Sequence, residues 1–369
     1  MVFMKMEENS DILEFEEEQD TEQHEVYIKY DIATYPSDFT LAVLYTMWQN
    51  DGIVIPDYQR EFVWKINQSS LLIESFLIGL PVPPIFFYID EENKSLVIDG
   101  QQRLLSIFYY FDGFFGRENE RGKKQVFRLM GLDKQNPFHE KRFLDLDEAD
   151  KRKLENSVLR AINVKQLSPS DNSTSVYYIF ERLNTGGTPL KPQEIRNCIY
   201  RGEFLDTLRE LNNNIEWRKI IGKKIPISNQ SDTELILRAY GFCYYLKKYE
   251  KPMKEFLNQI AKMNQHTTRE EMKDFIRRFE KATKVIASQL REKPFSIRGP
   301  LNTSVLDSVL CTIINNVDNL PRNLAERYET LVQDKKFIDY TSAATTDEKV
   351  VKERYEYVLR NLIGEKDEI

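Results

Sequence analysis

Leu96-Val97-Ile98-Asp99-Gly100-Gln101-Gln102-Arg103-Leu104-Leu105-Ser106-Ile107 decides how the first half of this chain is read. Leu96 to Ile98 is a short apolar run typical of a buried strand, Asp99-Gly100 is a sharp turn, and Leu104 onward repeats at helical spacing. The pattern predicts a strand running directly into a helix, with Gln101, Gln102 and Arg103 in its first turn. Backbone N–H groups there are not used by the helix's own ladder, and the helix dipole adds partial positive charge, so the position accommodates an anion. Arg103 brings a planar, permanently charged fork suited to phosphate. Gln101 and Gln102 can each donate and accept, and Asp99 supplies a carboxylate beside the same turn. Asp99 can equally well be a simple cap for an ordinary junction, and the stretch alone does not choose.

Working outward, Ile85–Ile89 is a second apolar strand, and the polar turn Asp90–Lys94 joins it to the first as a hairpin. Ser69–Leu80 has Leu71, Leu72, Phe76 and Leu77 on one helical stripe, stopped by Gly79 and the run Pro81-Val82-Pro83-Pro84. Thr40–Trp48 reads as a helix ending at Asn50-Asp51-Gly52, and Glu25–Tyr30 alternates like a strand. Ile53-Val54-Ile55 opens a strand that Pro56 confines to an edge or an end, after which Tyr58, Gln59 and Arg60 form an aromatic, polar and cationic group. Beyond the first helix, which runs to Asp112-Gly113, the charged Arg117–Lys124 reads as a loop, Gln125–Leu129 as a strand, Asp147–Val158 as a surface helix and Leu159–Leu167 as a returning strand. Lys123, Lys124 and Arg128 can meet a phosphate backbone or simply solvate a hairpin.

A third polar turn lies in Val176–Asn197: a helix ends at Asn184, Gly186-Gly187 turns the chain, and a new helix starts near Lys191 with Pro192 in its first turn. The Asn184 amide, the Thr185 hydroxyl and the glycine N–H groups can form an anion-binding nest, or the segment is an ordinary helix connector. From Glu203 onward the spacing is helical throughout, with helices over 204–211, 233–249, 254–263, 269–290, 304–317, 322–332 and 348–362. In 269–290 the residues Met272, Phe275, Ile276, Phe279, Ile286 and Leu290 share an apolar face, while Lys273, Arg277, Lys281 and Lys284 line another that acidic neighbours dilute.

Length and composition bound the rest. With 369 residues and 41% hydrophobic content the chain suggests two packed units. No apolar run of about 18 residues is present, so no membrane span is expected. No basic leader followed by an apolar core is visible either, and the protein reads as cytoplasmic. Cys198, Cys243 and Cys311 have neither disulfide-framework nor zinc-ligand spacing and read as small buried thiols. The net charge of -7 is uneven: residues 1–25 hold ten carboxylates against Lys5 alone, and removing them from 59 acids and 52 bases leaves 49 against 51. The tail is expected to be solvated and disordered, or to compete with nucleic acid for a basic groove.

Three stretches together, PDYQREFVW, VIDGQQRLLSI and IFERLNTGGTPLKPQEIRN, resemble the N-terminal family of GmrSD-type, modification-dependent restriction endonucleases, in that family's order, over roughly residues 35–200. The resemblance implies an α+β fold: a ParB/sulfiredoxin-like mixed domain over 26–200, after the acidic tail of 1–25, then an all-helical domain over 201–369. The DGQQR motif falls on Asp99, Gly100, Gln101, Gln102 and Arg103 and is associated in the family with binding and hydrolysis of a nucleoside triphosphate. The YQR motif falls on Tyr58, Gln59 and Arg60, and the asparagine–glycine turn on Asn184, Thr185 and Gly186. On this reading Asp99, Gln102 and Arg103 are catalytic and Asp99 meets Mg2+. Tyr58, Gln59, Arg60, Gly100, Gln101, Asn184, Thr185 and Gly186 bind the nucleotide. Many relatives carry or work beside an HNH nuclease. Here His24, His139 and His266 sit in no such setting, so DNA cleavage is expected from a separate HNH-type subunit, with DNA, modified or not, as partner and oligomerisation left open. No Walker GxxxxGK[ST] sequence is present, which excludes a P-loop NTPase, and no cysteine lies in the key segments, which disfavours sulfiredoxin-type redox chemistry. Three readings remain open: a nucleotide-hydrolysing, DNA-sensing subunit, a nucleotide- or DNA-backbone-binding module without turnover, and a structural hydrogen-bond knot at the junction.

Overall fold

Two long strands carry the N-terminal half: β1 (Asp31–Thr40) lies antiparallel to β7 (Val158–Ser168), with Thr40 opposite Val158. The structure is a computed structural model that describes residues 31–55, 62–90, 92–116, 123–168, 175–183, 191–227 and 229–364. Between the two long strands in sequence come α1 (Leu41–Gln49), β2 (Ile53–Val54), α2 (Ile66–Ile78), β3 (Ile85–Ile89), β4 (Ser95–Asp99), α3 (Gln101–Asp112), β5 (Phe114–Phe115), β6 (Gln125–Val126) and α4 (Glu148–Asn156). The main sheet has the order β1-β7-β3-β4-β2 and is mixed, β7 running parallel to β3 and β4 parallel to β2. The expected hairpin is present as antiparallel β3 and β4, Phe87 facing Val97.

Burial explains why these segments hold. Leu72, Ile73, Phe76 and Leu77 of α2 turn inward with Leu104, Ile107 and Phe108 of α3, and they meet Ile85, Phe87 and Val97 from the sheet in one core. Each enclosed aliphatic or aromatic side chain contributes roughly 1.5–3 kcal/mol. Gly79, at φ 83, closes α2, and its N–H returns to Phe76 O.

Several boundaries differ from the sequence reading, each for a local reason. The strand expected over Glu25–Tyr30 lies outside the described residues, and β1 follows it directly. That strand was unmarked because Asp31, Pro36, Ser37 and Asp38 break the apolar alternation. Among the described residues β1 occupies a sheet edge, where Pro36 has no second neighbour to bond. Only Gln125–Val126 of the strand expected over Gln125–Leu129 is a strand, paired with Phe114–Phe115, although Phe127 and Leu129 are fully buried. Helix α2 begins three residues early because Gln68 Oε1 caps the Lys65 N–H at 2.9 Å.

After α5 (Ser175–Leu183) the chain is helical: α6 (Pro192–Ile199), α7 (Glu203–Leu211), α8 (Ile215–Ile221), α9 (Ser231–Tyr245), α10 (Met253–Met263), α11 (Lys273–Gln289), α12 (Thr303–Asn315), α13 (Leu324–Gln333), α14 (Lys335–Tyr340) and α15 (Glu348–Val358). The fold is α+β followed by helices, as expected. Contacts divide the chain into a unit over Ile28–Pro189 and a helical unit that holds Leu190–Ile369. The short α8 and α14 were missed. Each is started by one side chain: Asn214 Oδ1 accepts from Trp217 N–H and Asp334 Oδ1 from Phe337 N–H.

The helical unit has its own apolar core and encloses charge within it. Arg218 donates to Asp232 at 2.7 Å, and Arg238 grips Asp307 with bonds of 3.1 and 2.6 Å. In α11, Phe275, Phe279 and Ile286 are buried as expected, whereas Lys281 and Arg277 pair with Asp318 and so do not form a free basic face. Among the described residues no helix is long and apolar enough to cross a membrane.

Candidate functional site

Gly100 is the pivot between β4 and α3. Its φ of +97° is a conformation that L side chains rarely adopt, and an added Cβ would stand 2.3 Å from Ile85 Cγ2. Only glycine allows the strand to turn this tightly into the helix. With no side chain at this position to cap the helix, the first backbone return is Leu104 N–H to Gly100 O at 2.9 Å.

Arg103 folds back over that turn. Its Nη2 donates to Asp99 Oδ2 at 2.9 Å and to Pro84 O at 3.2 Å, so the guanidinium bridges the end of β4 and the loop that precedes β3. The Arg103 side chain is 16% exposed and that of Asp99 35%, which makes this a sheltered pair rather than a solvent-washed one. Arg103 Nε is buried with no hydrogen-bond partner among the described residues. Leaving a buried donor unsatisfied costs roughly 1–3 kcal/mol, so an orphan here is a feature that needs a reason.

Gln102 makes contacts that the sequence alone does not signal. Its Oε1 accepts from Val63 N–H at 3.0 Å and from Trp64 N–H at 3.2 Å. Its backbone carbonyl takes the Ser106 hydroxyl at 2.7 Å, and Ser106 Oγ meets Ser69 Oγ at 2.8 Å, tying α3 to α2. Phe62 packs edge-on against Tyr109 and Phe115 at 5.1 and 5.2 Å between ring centres. Residues 62–64 are thus fastened along α3. The serine pair and Pro84 O were not foreseen, because a buried hydroxyl pair and a backbone carbonyl leave no sequence signature.

Tyr58, Gln59, Arg60, Asn184, Thr185 and Gly186 lie outside the described residues. Their described neighbours in sequence both reach the junction's surroundings. Val63 and Trp64 bond to Gln102, and α5, which precedes Asn184, packs against β4, with Phe180 and Tyr88 rings 6.2 Å apart. Asp99, Gly100, Gln101, Gln102 and Arg103 are therefore the sequence-selected residues that the structure brings together.

Among the described residues no group of three or more His, Cys, Asp or Glu side chains is placed to hold a metal ion. Asp99 is the carboxylate at the junction, and its Oδ2 is taken by Arg103. This arrangement does not build a resident metal centre from described side chains. Mg2+ commonly needs only one or two carboxylates when phosphates and water complete its shell, and Asp99 fits that lesser role. The basic hairpin is likewise largely engaged: Lys124 lies over the Phe114 ring at 5.7 Å, and Arg128 donates to Glu140 O and faces Asp145 at 3.6 Å. Arg142 and Arg128 beside Asp145 hold its carboxyl well below the usual carboxylate range.

The sheet, the Gly100 pivot and the polar helix start together define an α+β domain. Residues 43–201 match the family described as GmrSD restriction endonuclease, N-terminal domain. The match spans α1 to α6 and takes in the whole β4–α3 junction. None of the curated proteins compared with the chain matches it.

Proposed function

We propose that the domain binds a nucleoside triphosphate at the start of α3 and acts as the nucleotide-hydrolysing, DNA-sensing part of its restriction system, with cutting done by a separate HNH-type nuclease. The observation that carries this reading is the state of Arg103. Its guanidinium is oriented by Asp99 and Pro84 O through one nitrogen, while Nε is left buried without a partner among the described residues. A phosphate oxygen supplies a charge-assisted acceptor for the unused donors, at a helix start whose dipole favours negative charge. Asp99 then serves as the stand-in that keeps Arg103 in place until phosphate arrives.

In this reading Arg103 and Arg60 hold phosphate oxygens, Gln101 orients them, and Tyr58, Gln59, Asn184, Thr185 and Gly186 complete the nucleotide site. Gln102, whose Oε1 accepts from Val63 and Trp64, positions the segment that follows Tyr58–Arg60 beside its catalytic role. Magnesium supplies charge neutralisation on the triphosphate, and Asp99 is the side chain that would meet it. Release of Asp99 from Arg103 also frees the carboxylate that hydrolysis would need as a base.

A binding module without turnover is the second reading, favoured by the same ion pair: the Asp99 carboxylate is already held by Arg103. Calorimetry with a non-hydrolysable triphosphate, followed by a phosphate-release assay with each of four triphosphates, with and without magnesium and DNA, separates the two. Binding followed by release supports the enzyme; binding without release supports the module. Arg103→Ala is expected to lose at least about tenfold in binding, equivalent to about 1.4 kcal/mol. A folded Arg103→Ala protein that binds as tightly as the parent removes the site from this junction.

A further inference from the structure

Cys243 lies on α9 and Cys311 on α12, two helices that pack against each other inside the helical unit. The Cys311 thiol is buried and donates to Ala239 O at 3.3 Å. Ala239 stands one helical turn before Cys243, and its carbonyl is the ladder partner of the Cys243 N–H. The Cys311 sulfur therefore rests on the turn of α9 that presents Cys243. They differ in access, Cys311 being fully enclosed and Cys243 only partly so. Burial and the neighbouring Cys243 push the Cys311 thiol up, which keeps it protonated and unreactive toward a reagent from solvent.

We propose that Cys243 and Cys311 form an oxidation site at which a hydroperoxide creates a disulfide between α9 and α12. The Cys243 thiolate attacks one peroxide oxygen and the O–O bond breaks. Cys243 becomes a sulfenic acid, and water leaves when the oxidant is hydrogen peroxide. Cys311 then attacks the Cys243 sulfur: the S–O bond breaks, the S–S bond forms, and the Cys311 proton departs with hydroxide as a second water. Two thiols give up two electrons and the peroxide accepts two. An S–S bond of about 2.05 Å is shorter than any non-bonded sulfur contact, so closure draws the facing turns together. The same helix pair carries the Arg238–Asp307 ion pair, so the cross-link acts on the centre of the helical unit. The site lies outside residues 43–201 and does not depend on the nucleotide reading.

The test treats the reduced full-length chain with a small excess of hydrogen peroxide and follows intact mass, peptide linkage and melting. The expected result is a loss of about 2 Da, reversed by a dithiol reductant. A linked peptide pair should contain Cys243 and Cys311, and melting should rise by about 5 °C. Cys243→Ser and Cys311→Ser should each prevent the mass loss, Cys311→Ser leaving Cys243 as a sulfenic acid that a dimedone probe captures. Cys198→Ser should behave as the parent. Carriage of Cys243 to sulfinic acid while Cys311 stays a free thiol overturns the proposal, as does a link through Cys198 or no oxidation at all. Where a serine variant fails to fold, the peptide map of the parent protein decides alone.

Discussion

Arg103 reaches back along the start of α3 to Asp99, Nη2 to Oδ2 at 2.9 Å, so the two charged residues of the DGQQR stretch neutralise each other. That relationship changes what each residue can be asked to do. A carboxylate held by a guanidinium has an oxygen already occupied, and a guanidinium bound to a carboxylate meets phosphate only by exchange. Asp99→Asn keeps the shape and removes the competing charge. Triphosphate binding measured by calorimetry without magnesium should therefore tighten, by about threefold to tenfold, while phosphate release with magnesium falls. Stability should drop by only about 1 kcal/mol, the usual scale for one hydrogen bond in a partly exposed setting. Weaker binding by Asp99→Asn without magnesium would show that Asp99 is not a stand-in for phosphate.

Gly100 makes the junction possible, and its requirement can be divided into two parts. Gly100→Ala meets both an unfavourable φ and the Ile85 side chain at 2.3 Å, whereas Gly79→Ala meets a similar φ of +83° with nothing nearby. Chemical denaturation should show about 1 kcal/mol lost for Gly79→Ala and about 3 kcal/mol for Gly100→Ala. Equal losses would mean that Ile85 moves aside without cost.

In the helical unit, Arg238 and Asp307 are a buried pair joining α9 to α12, their side chains 5% and 3% exposed. Removing one partner leaves the other charged without compensation, so Asp307→Ala should cost about 3–5 kcal/mol by urea unfolding. Replacing both with apolar residues of similar volume should cost much less. A double variant as unstable as Asp307→Ala alone would assign the loss to packing rather than to charge.

The fold was legible where apolar residues keep one period. The hairpin of β3 and β4, helices α2 and α3 and the helical second half all follow from such runs, and Gly79, Gly100 and Gly113 mark where they turn or stop. Strand β1 was missed because a sheet edge tolerates Pro36 and exposed polar residues. Short helices α8 and α14 were missed because a single capping side chain, not a periodic face, starts them. At the candidate site the sequence shows which residues cluster but not which already hold one another. Asp99 with Arg103 at a separation of four could be anticipated from helical spacing. Gln102 with Val63 and Trp64 could not, since nothing local couples positions so far apart.

That last contact yields the sharpest dynamic prediction. Gln102 Oε1 accepts both the Val63 and the Trp64 N–H, and Phe62 adds its ring to Tyr109 and Phe115. Gln102→Ala removes the acceptor while leaving the ring contacts and the Asp99–Arg103 pair untouched. Hydrogen exchange at Val63 and Trp64 should then quicken by about tenfold, equivalent to about 1.4 kcal/mol of lost protection, with the α3 interior unchanged. Gln102→Glu retains an oxygen at the same reach and should restore the protection. If Gln102 positions the Tyr58–Arg60 segment, Gln102→Ala should also weaken triphosphate binding, and Gln102→Glu should recover part of it. Slow exchange at Val63 and Trp64 in a folded Gln102→Ala protein would mean that the aromatic contacts of Phe62 hold the segment unaided, and that Gln102 acts elsewhere in the site.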